Sequence, residues 1–359
     1  MLKRCLVLCL LADIGCQSQS QEGPSAPGGD LAATDVSACT LEAPVVLADV
    51  VDAFGLRTDD ASVYYYGRQP VSLRRVAKAG GTPEIVFWDS GSIQTDVDRF
   101  DYAVDAETVD LMLFGHADSL GLSSGSVDVA LKDGTFVRSV DPVAPPGDCH
   151  AHLLYEMARS GDSRYWIQWN SSGIHHQEDC PDAPEPFLLA WLAPGAENAV
   201  SLISRRNLTA LLADPFHVFF ADDQGVWRMS FSGGTPELLA GGVAPASLAT
   251  DGNALYFATD ATYRISAPGA VHQIFPQPLD NLVTDGTSLY GLLPAVGSDP
   301  TAPQAFDVVR LSTDGGTLAR LGPASHGGGP PTSPPGVAVD DQFVYFFDPT
   351  GSKLEKTCK

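Results

Sequence analysis

Seven times between Asp59 and Phe347 the chain repeats one local signature, an Asp followed five residues later by an aromatic that sits behind a β-branched or aliphatic residue. The clear copies are Asp59 to Tyr64, Asp214 to Phe219, Asp251 to Tyr256, Asp285 to Tyr290 and Asp340 to Tyr345. Two are degenerate: Asp105 leads to Val109-Asp110-Leu111, and Asp162 leads to Tyr165-Trp166. Intervals run from 34 residues (251 to 285) to 57 residues (105 to 162), around the ~40–50 residues of a propeller blade. A unit of that size cannot bury both its faces alone, so it must stack on its neighbours.

The clearest copy shows what the unit is. Asp214-Pro215 opens a turn, His217 to Ala221 is β-rich, and Gly225 to Ser230 alternates in the manner of a half-buried strand. Ser232-Gly233-Gly234-Thr235 supplies a hairpin, and Pro236 begins a further run. Proline lacks the N–H a central strand needs, which puts that run on a sheet edge. With Leu208 to Leu212 in front, the unit is a four-stranded antiparallel sheet.

The ends of the chain complete each other. The seventh unit stops after a third strand at Lys353 to Lys356, while Pro44-Val45-Val46-Leu47-Ala48 resembles the fourth strand Pro236 to Ala240 without the three before it. The expected fold is therefore an all-β propeller of seven four-stranded blades. Its N-terminal strand completes the last blade and removes two open sheet edges. The Thr-Asp-Gly, aliphatic-Tyr and Gly-Gly-Thr-Pro elements over about residues 40 to 359 resemble bacterial extracytoplasmic seven-bladed propeller lipoproteins, a family without one assigned function. These motifs specify blades, not an activity.

Lys3 and Arg4 precede the apolar run Cys5 to Ala12, a pattern of export signals that is too short to span a bilayer. Gly15-Cys16 resembles the end of a lipobox, with Asp13 departing from the expected Leu. The expected organisation is a signal peptide over 1–15, a flexible tether over 16–38 lipidated at Cys16, and the propeller over 39–359. The Gln-, Ser-, Gly-, Pro- and Ala-rich tether lacks the apolar residues to order itself. This implies an extracytoplasmic monomer, either anchored to the cell envelope and meeting the membrane only through lipid or, without lipidation, secreted or periplasmic. A formal net charge of −23 repels phosphate backbones and argues against nucleic acid.

Of seven cysteines, Cys5 and Cys9 leave with the signal. In the closed ring Cys358 follows the third strand of the last blade and Cys39 precedes its fourth, so a Cys39–Cys358 disulfide would replace the missing hairpin in an oxidising compartment. Cys149 and Cys180 flank connections of the third blade that leave one face and are expected to form a second disulfide. Their neighbours His150, His152, His175 and His176 make zinc the alternative, although the spacing fits no standard zinc motif.

Asp251-Gly252, Asp285-Gly286 and Asp314-Gly315 read as turns and not as calcium loops. No nucleophile elbow, zinc-protease helix or phosphate-binding loop is present. A ligand site belongs on the loops entering the innermost strands, where Asp98, Arg99, Arg205, Arg206, Asp280 and His326 fall, together with Asp96 and Asn281. The leading expectation is a non-catalytic, cofactor-free, surface-tethered propeller that binds or scaffolds a protein or glycan partner. The alternatives are a metal-assisted hydrolase or lyase using the blade-three histidines, and a purely structural envelope component.

Overall fold

A computed structural model describes residues 39, 43–68, 71–88, 101–114, 125–143, 150–171, 187–295, 305–325 and 336–359. The signal, the tether and Cys16 lie outside the described residues.

Twenty-eight strands form seven four-stranded antiparallel sheets, and no helix occurs among the described residues. Strand β1 (Val45–Asp49) is held for the last blade. Blade one is β2 (Ala53–Thr58), β3 (Ser62–Arg68), β4 (Val71–Ala77) and β5 (Glu84–Trp88). Blade two is β6 (Tyr102–Val104), β7 (Thr108–Phe114), β8 (Gly125–Leu131) and β9 (Phe136–Val140). Blade three is β10 (His150–Ser160), β11 (Ser163–Ser171), β12 (Phe187–Leu192) and β13 (Val200–Arg205). Blade four is β14 (Leu208–Ala213), β15 (His217–Asp222), β16 (Gly225–Ser230) and β17 (Glu237–Gly241). Blade five is β18 (Leu248–Thr250), β19 (Leu255–Ala258), β20 (Thr262–Ala267) and β21 (Ala270–Phe275). Blade six is β22 (Asp280–Thr284), β23 (Ser288–Pro294), β24 (Phe306–Ser312) and β25 (Leu318–Ala324). Blade seven is β26 (Val337–Val339), β27 (Phe343–Phe347) and β28 (Lys353–Cys358), and β1 lies outermost on β28.

The ring closes as the sequence implies. Val45 pairs with Lys356 and Asp49 with Lys353. Cys39 and Cys358 form a disulfide with their Cα atoms 5.6 Å apart. Cys149 and Cys180 lie outside the described residues. The strand after Pro236 sits on a sheet edge, as the missing N–H requires. The first strand of blade three reaches from His150 to Ser160, well past its apolar run Leu153 to Met157.

The core is not central. Seven hydrophobic clusters each join two adjacent blades, such as Val63, Tyr65, Tyr345 and Phe347 between blades one and seven, or Tyr64, Tyr66, Tyr102 and Val109 between blades one and two. Successive side chains of a strand point to opposite faces, and both faces are covered by a neighbouring blade. That is why Val63-Tyr64-Tyr65-Tyr66 is aromatic without polar alternation, with every member 0–1% exposed. By area, burying each ring stabilises the stack by roughly 2–3 kcal/mol as an upper estimate.

The recurrent Asp has a physical reason. Oδ1 of Asp59, Asp105, Asp214, Asp251, Asp285 and Asp340 each accepts the backbone N–H groups two and three residues on, at 2.5–2.9 Å. That interaction closes the tight turn into the second strand. In four blades Oδ2 then accepts the tyrosine hydroxyl five residues on, at 2.7–2.9 Å: Tyr64, Tyr256, Tyr290 and Tyr345. Blade three lacks the device, since its Asp162 is 80% exposed. In blade two Asp110 stands at the tyrosine position, fully buried, and binds Arg159 and Arg164 at 2.8 Å each.

Candidate functional site

Antiparallel order sends the turns between first and second strands and between third and fourth strands to one face. All other connections leave the opposite face. The first set is short, with none longer than 193–199. Every connection of nine residues or more (89–101, 115–124, 141–149, 172–186, 295–305 and 325–336) leaves the opposite face. The two faces of the ring are therefore chemically unequal.

The short-turn face is locked by cations reaching between blades. The residue after the third strand of one blade contacts the Asp of the blade before it. Lys78 Nζ lies 2.6 Å from Asp340 Oδ2, Lys359 Nζ lies 2.7 Å from Asp285 Oδ2, and Lys132 Nζ pairs with Asp59 Oδ2. Lys78 and Lys132 also stand 5.9 Å from the ring centroids of Tyr345 and Tyr64. Burial alone would raise the pKa of Asp59 and Asp340. Their lysines, tyrosines and turn amides outweigh it and hold both below the ordinary aspartate value.

Between the faces runs the central channel, a cavity of about 360 Å³ walled by the innermost strands of blades one to six. Four charged residues, Arg57, Asp101, Glu156 and Arg159, stand in a wall otherwise dominated by Ala, Leu and Val, and Arg159 is engaged by Asp110 at 2.8 Å. Asp101, 4% exposed, accepts Arg57 at 3.3 Å and the N–H of Tyr102 at 2.8 Å on Oδ1, and the N–H of Met157 at 2.6 Å on Oδ2. Glu156 Oε2 accepts the N–H of Leu211 at 2.6 Å. These bonds belong to a belt that ties neighbouring innermost strands. It continues with Thr58 donating to the Val339 carbonyl, Thr209 to the Pro245 carbonyl, and the Leu282 N–H to Ser247 Oγ.

Enclosure by the ring, reinforced by the nearby Asp101 charge, pushes the Glu156 carboxyl well above the usual range. Burial likewise raises Asp101, against the opposing pull of Arg57. The channel thus offers a carboxyl biased toward its neutral form beside an Arg–Asp pair, an arrangement suited to hydrogen-bonding a small polar group. No assembled nucleophile and base accompany it among the described residues.

The residues expected from sequence to line a mouth are scattered. Arg205 ends β13 and is spent between blades three and four, 3.2 Å from buried Asp222 and 5.2 Å from the Trp227 ring centroid. Arg206 is exposed. Asp280 is exposed at the start of β22, and Asn281 beside it lines the channel with φ 57°. Asp96, Asp98, Arg99, His175, His176 and His326 lie outside the described residues. His150 and His152 begin β10 on the long-connection face, but their side chains lie outside the described ones too. Among the described residues no group of three or more His, Cys, Asp or Glu is arranged to hold a metal ion. Sequence reasoning missed Arg57, Asp101 and Glu156, although a lone charge inside Leu153 to Met157 was a usable signal.

No family model matches the chain, and no curated protein matches it in sequence. Solved structures match in fold. The extracellular domain of BT4673 from B. thetaiotaomicron superposes with TM-score 0.54 at 11% identity, covering 88% of this chain and 40% of that one. The acylaminoacyl peptidase of Pyrococcus horikoshii superposes with TM-score 0.53 at 11% identity, covering 75% and 45%. A chain of the mitotic checkpoint complex superposes with TM-score 0.51 at 10% identity, covering 89% and 95%. The chain spans less than half the length of the first two, and at these identities the likeness establishes a shared propeller fold and no activity.

Proposed function

We propose that this protein is a non-catalytic binding propeller, held outside the cytoplasm by a lipid at Cys16, that receives a protein or glycan partner on its long-connection face. The observation that carries the reading is the asymmetry of the ring: one face is drawn tight by Asp turns and lysines, and the strand ends joined by all six long connections are on the other. Binding residues concentrate on loops held by a rigid scaffold. A disulfide across the closure supports an oxidising compartment. So does the match to an extracellular domain, at the level of analogy. The test replaces 172–186 and 325–336 by short Gly-Ser turns and compares this variant with the parent by cross-linking in intact envelopes and on immobilised glycans. Specific products that vanish in the variant, with its melting temperature unchanged, support the reading. Identical products from both proteins oppose it.

A metal-assisted hydrolase or lyase is the second reading, favoured by one register: His150 pairs with Ser171, four residues before His175. Replacing His150, His152, His175 and His176 by alanine should then abolish bound zinc. Metal content unchanged by the replacement excludes it.

A further inference from the structure

On the short-turn face the lock around Asp214 has lost both of its donors. In blades one, six and seven the Asp Oδ2 holds both a tyrosine hydroxyl and the ammonium of a lysine from the next blade. In blade four both donors are missing. Phe219 stands where the others have tyrosine, and Pro268, the residue after β20, stands where they have Lys132, Lys359 or Lys78. Asp214 makes the same turn as its counterparts, Oδ1 accepting the N–H groups of Phe216 and His217 at 2.7 Å each, and it lines the gap between blades four and five.

The Asp214 side chain is 10% exposed, His217 Nδ1 stands 3.5 Å from its Oδ1, and among the described residues no hydrogen bond or ion pair reaches Oδ2. The gap is a cavity of about 70 Å³ lined by Asp214, His217, Phe219, Leu239 and Pro268. That is room for about two waters or the end of an alkylammonium. The aromatic wall against which Lys78 and Lys132 lie is retained as Phe219.

Arg228 also lines the cavity, but it is paired with Glu237 at 2.6 Å. Blade one shows that such a pair does not exclude a second cation. Arg75 is bound to Glu84 at 2.9 Å, pairs across the strands with Tyr64 as Arg228 does with Phe219, and still leaves Asp59 to Lys132.

We infer that the gap between blades four and five is a binding site for a primary ammonium group, supplied from outside the chain, with Asp214 Oδ2 as its acceptor. The site lies on the face opposite the long connections, so it is independent of the partner proposed above. A half-buried carboxylate oxygen with no cation beside it among the described residues gains an ion pair from an incoming ammonium, and the formal net charge of −23 draws cations to it. Two sources share this chemistry, a free alkylamine and the lysine side chain of a partner.

The full-length protein is titrated with n-butylammonium chloride, with tetramethylammonium chloride as the control that lacks N–H donors. The amide resonances of Phe216 and His217 are followed. Saturable shifts are expected with butylammonium alone. D214N, whose remaining amide oxygen still serves the turn, should weaken binding roughly tenfold or more. P268K should abolish it by placing an ammonium in the gap from within the chain. A blocked Gly-Lys-Gly peptide that binds at least about tenfold tighter than butylammonium identifies a partner lysine as the source; equal affinity identifies a small amine. The inference is overturned if the parent shows no saturable shift, or if D214N and P268K titrate as the parent does.

Discussion

Lys78 Nζ lies 2.6 Å from Asp340 Oδ2, and through this contact the first blade grips the last. Both side chains are largely buried, at 18% and 17% exposure. Removing one partner leaves the other charge desolvated and unpaired. K78M should therefore lower the unfolding free energy by about 1–3 kcal/mol, and a cycle with D340N should show the two effects to be non-additive. Urea unfolding of the four proteins measures this. Strict additivity would mean that the contact contributes nothing.

Acid should loosen the same face. In Asp251 and Asp285 burial favours the neutral acid, but it is outweighed by the Tyr256 hydroxyl and the turn amides for Asp251 and by Lys359, the turn amides and the Thr287 hydroxyl for Asp285, so both carboxyls lie below the ordinary value. A carboxyl depressed on folding contributes its full stability above its unfolded pKa, near pH 4, and loses it as pH falls through the folded value. Unfolding free energy followed from pH 7 downward should drop steeply below about pH 4 in the parent and less steeply in D285N. Parallel curves would contradict the assignment.

Opening the Cys39–Cys358 disulfide releases a loop closed over a sequence separation of 319. The chain-entropy argument puts the loss at about 5–6 kcal/mol. The C39A/C358A double variant should unfold at correspondingly lower denaturant with its spectrum in water unchanged, because β1 still pairs with β28. A loss well under 1 kcal/mol would show that the strand pairing alone fixes the closure.

Glu156 predicts the opposite pH response. Its carboxyl is raised on folding by burial and by Asp101, so its contribution is fully present below the unfolded value of about 4.3 and is lost as pH rises toward the folded value. E156Q keeps an acceptor for the Leu211 N–H and removes the ionisation. Its melting temperature should gain on the parent between pH 5 and pH 8. A constant difference across that range would place the Glu156 titration elsewhere.

The repeat made the blades legible, because each Asp turn is written within a few consecutive residues. The locks were not legible. Lys78 and Asp340 stand at opposite ends of the sequence, and nothing local to either announces the other. The channel charges were hidden for a related reason. With 44 Asp and Glu in the chain, composition could not single out Asp101 and Glu156, which come together only when blades two and three are set side by side. Arg205 and Arg206 are adjacent in sequence but part in the fold, one turning inward to Asp222 and the other exposed, a divergence set by the neighbouring blade.

The closure also sets a timetable. Strand β1 is among the first parts of the propeller to be synthesised, and its partner β28 is the last. Until β28 arrives, six blades can stack in order, but the ring stays an open arc with an unsatisfied edge at each end. Non-local pairing of this kind is slow to find and exposed while it waits. Closure of the ring is therefore gated by the arrival of β28, and whatever holds back Lys353–Cys358 holds the whole ring ajar.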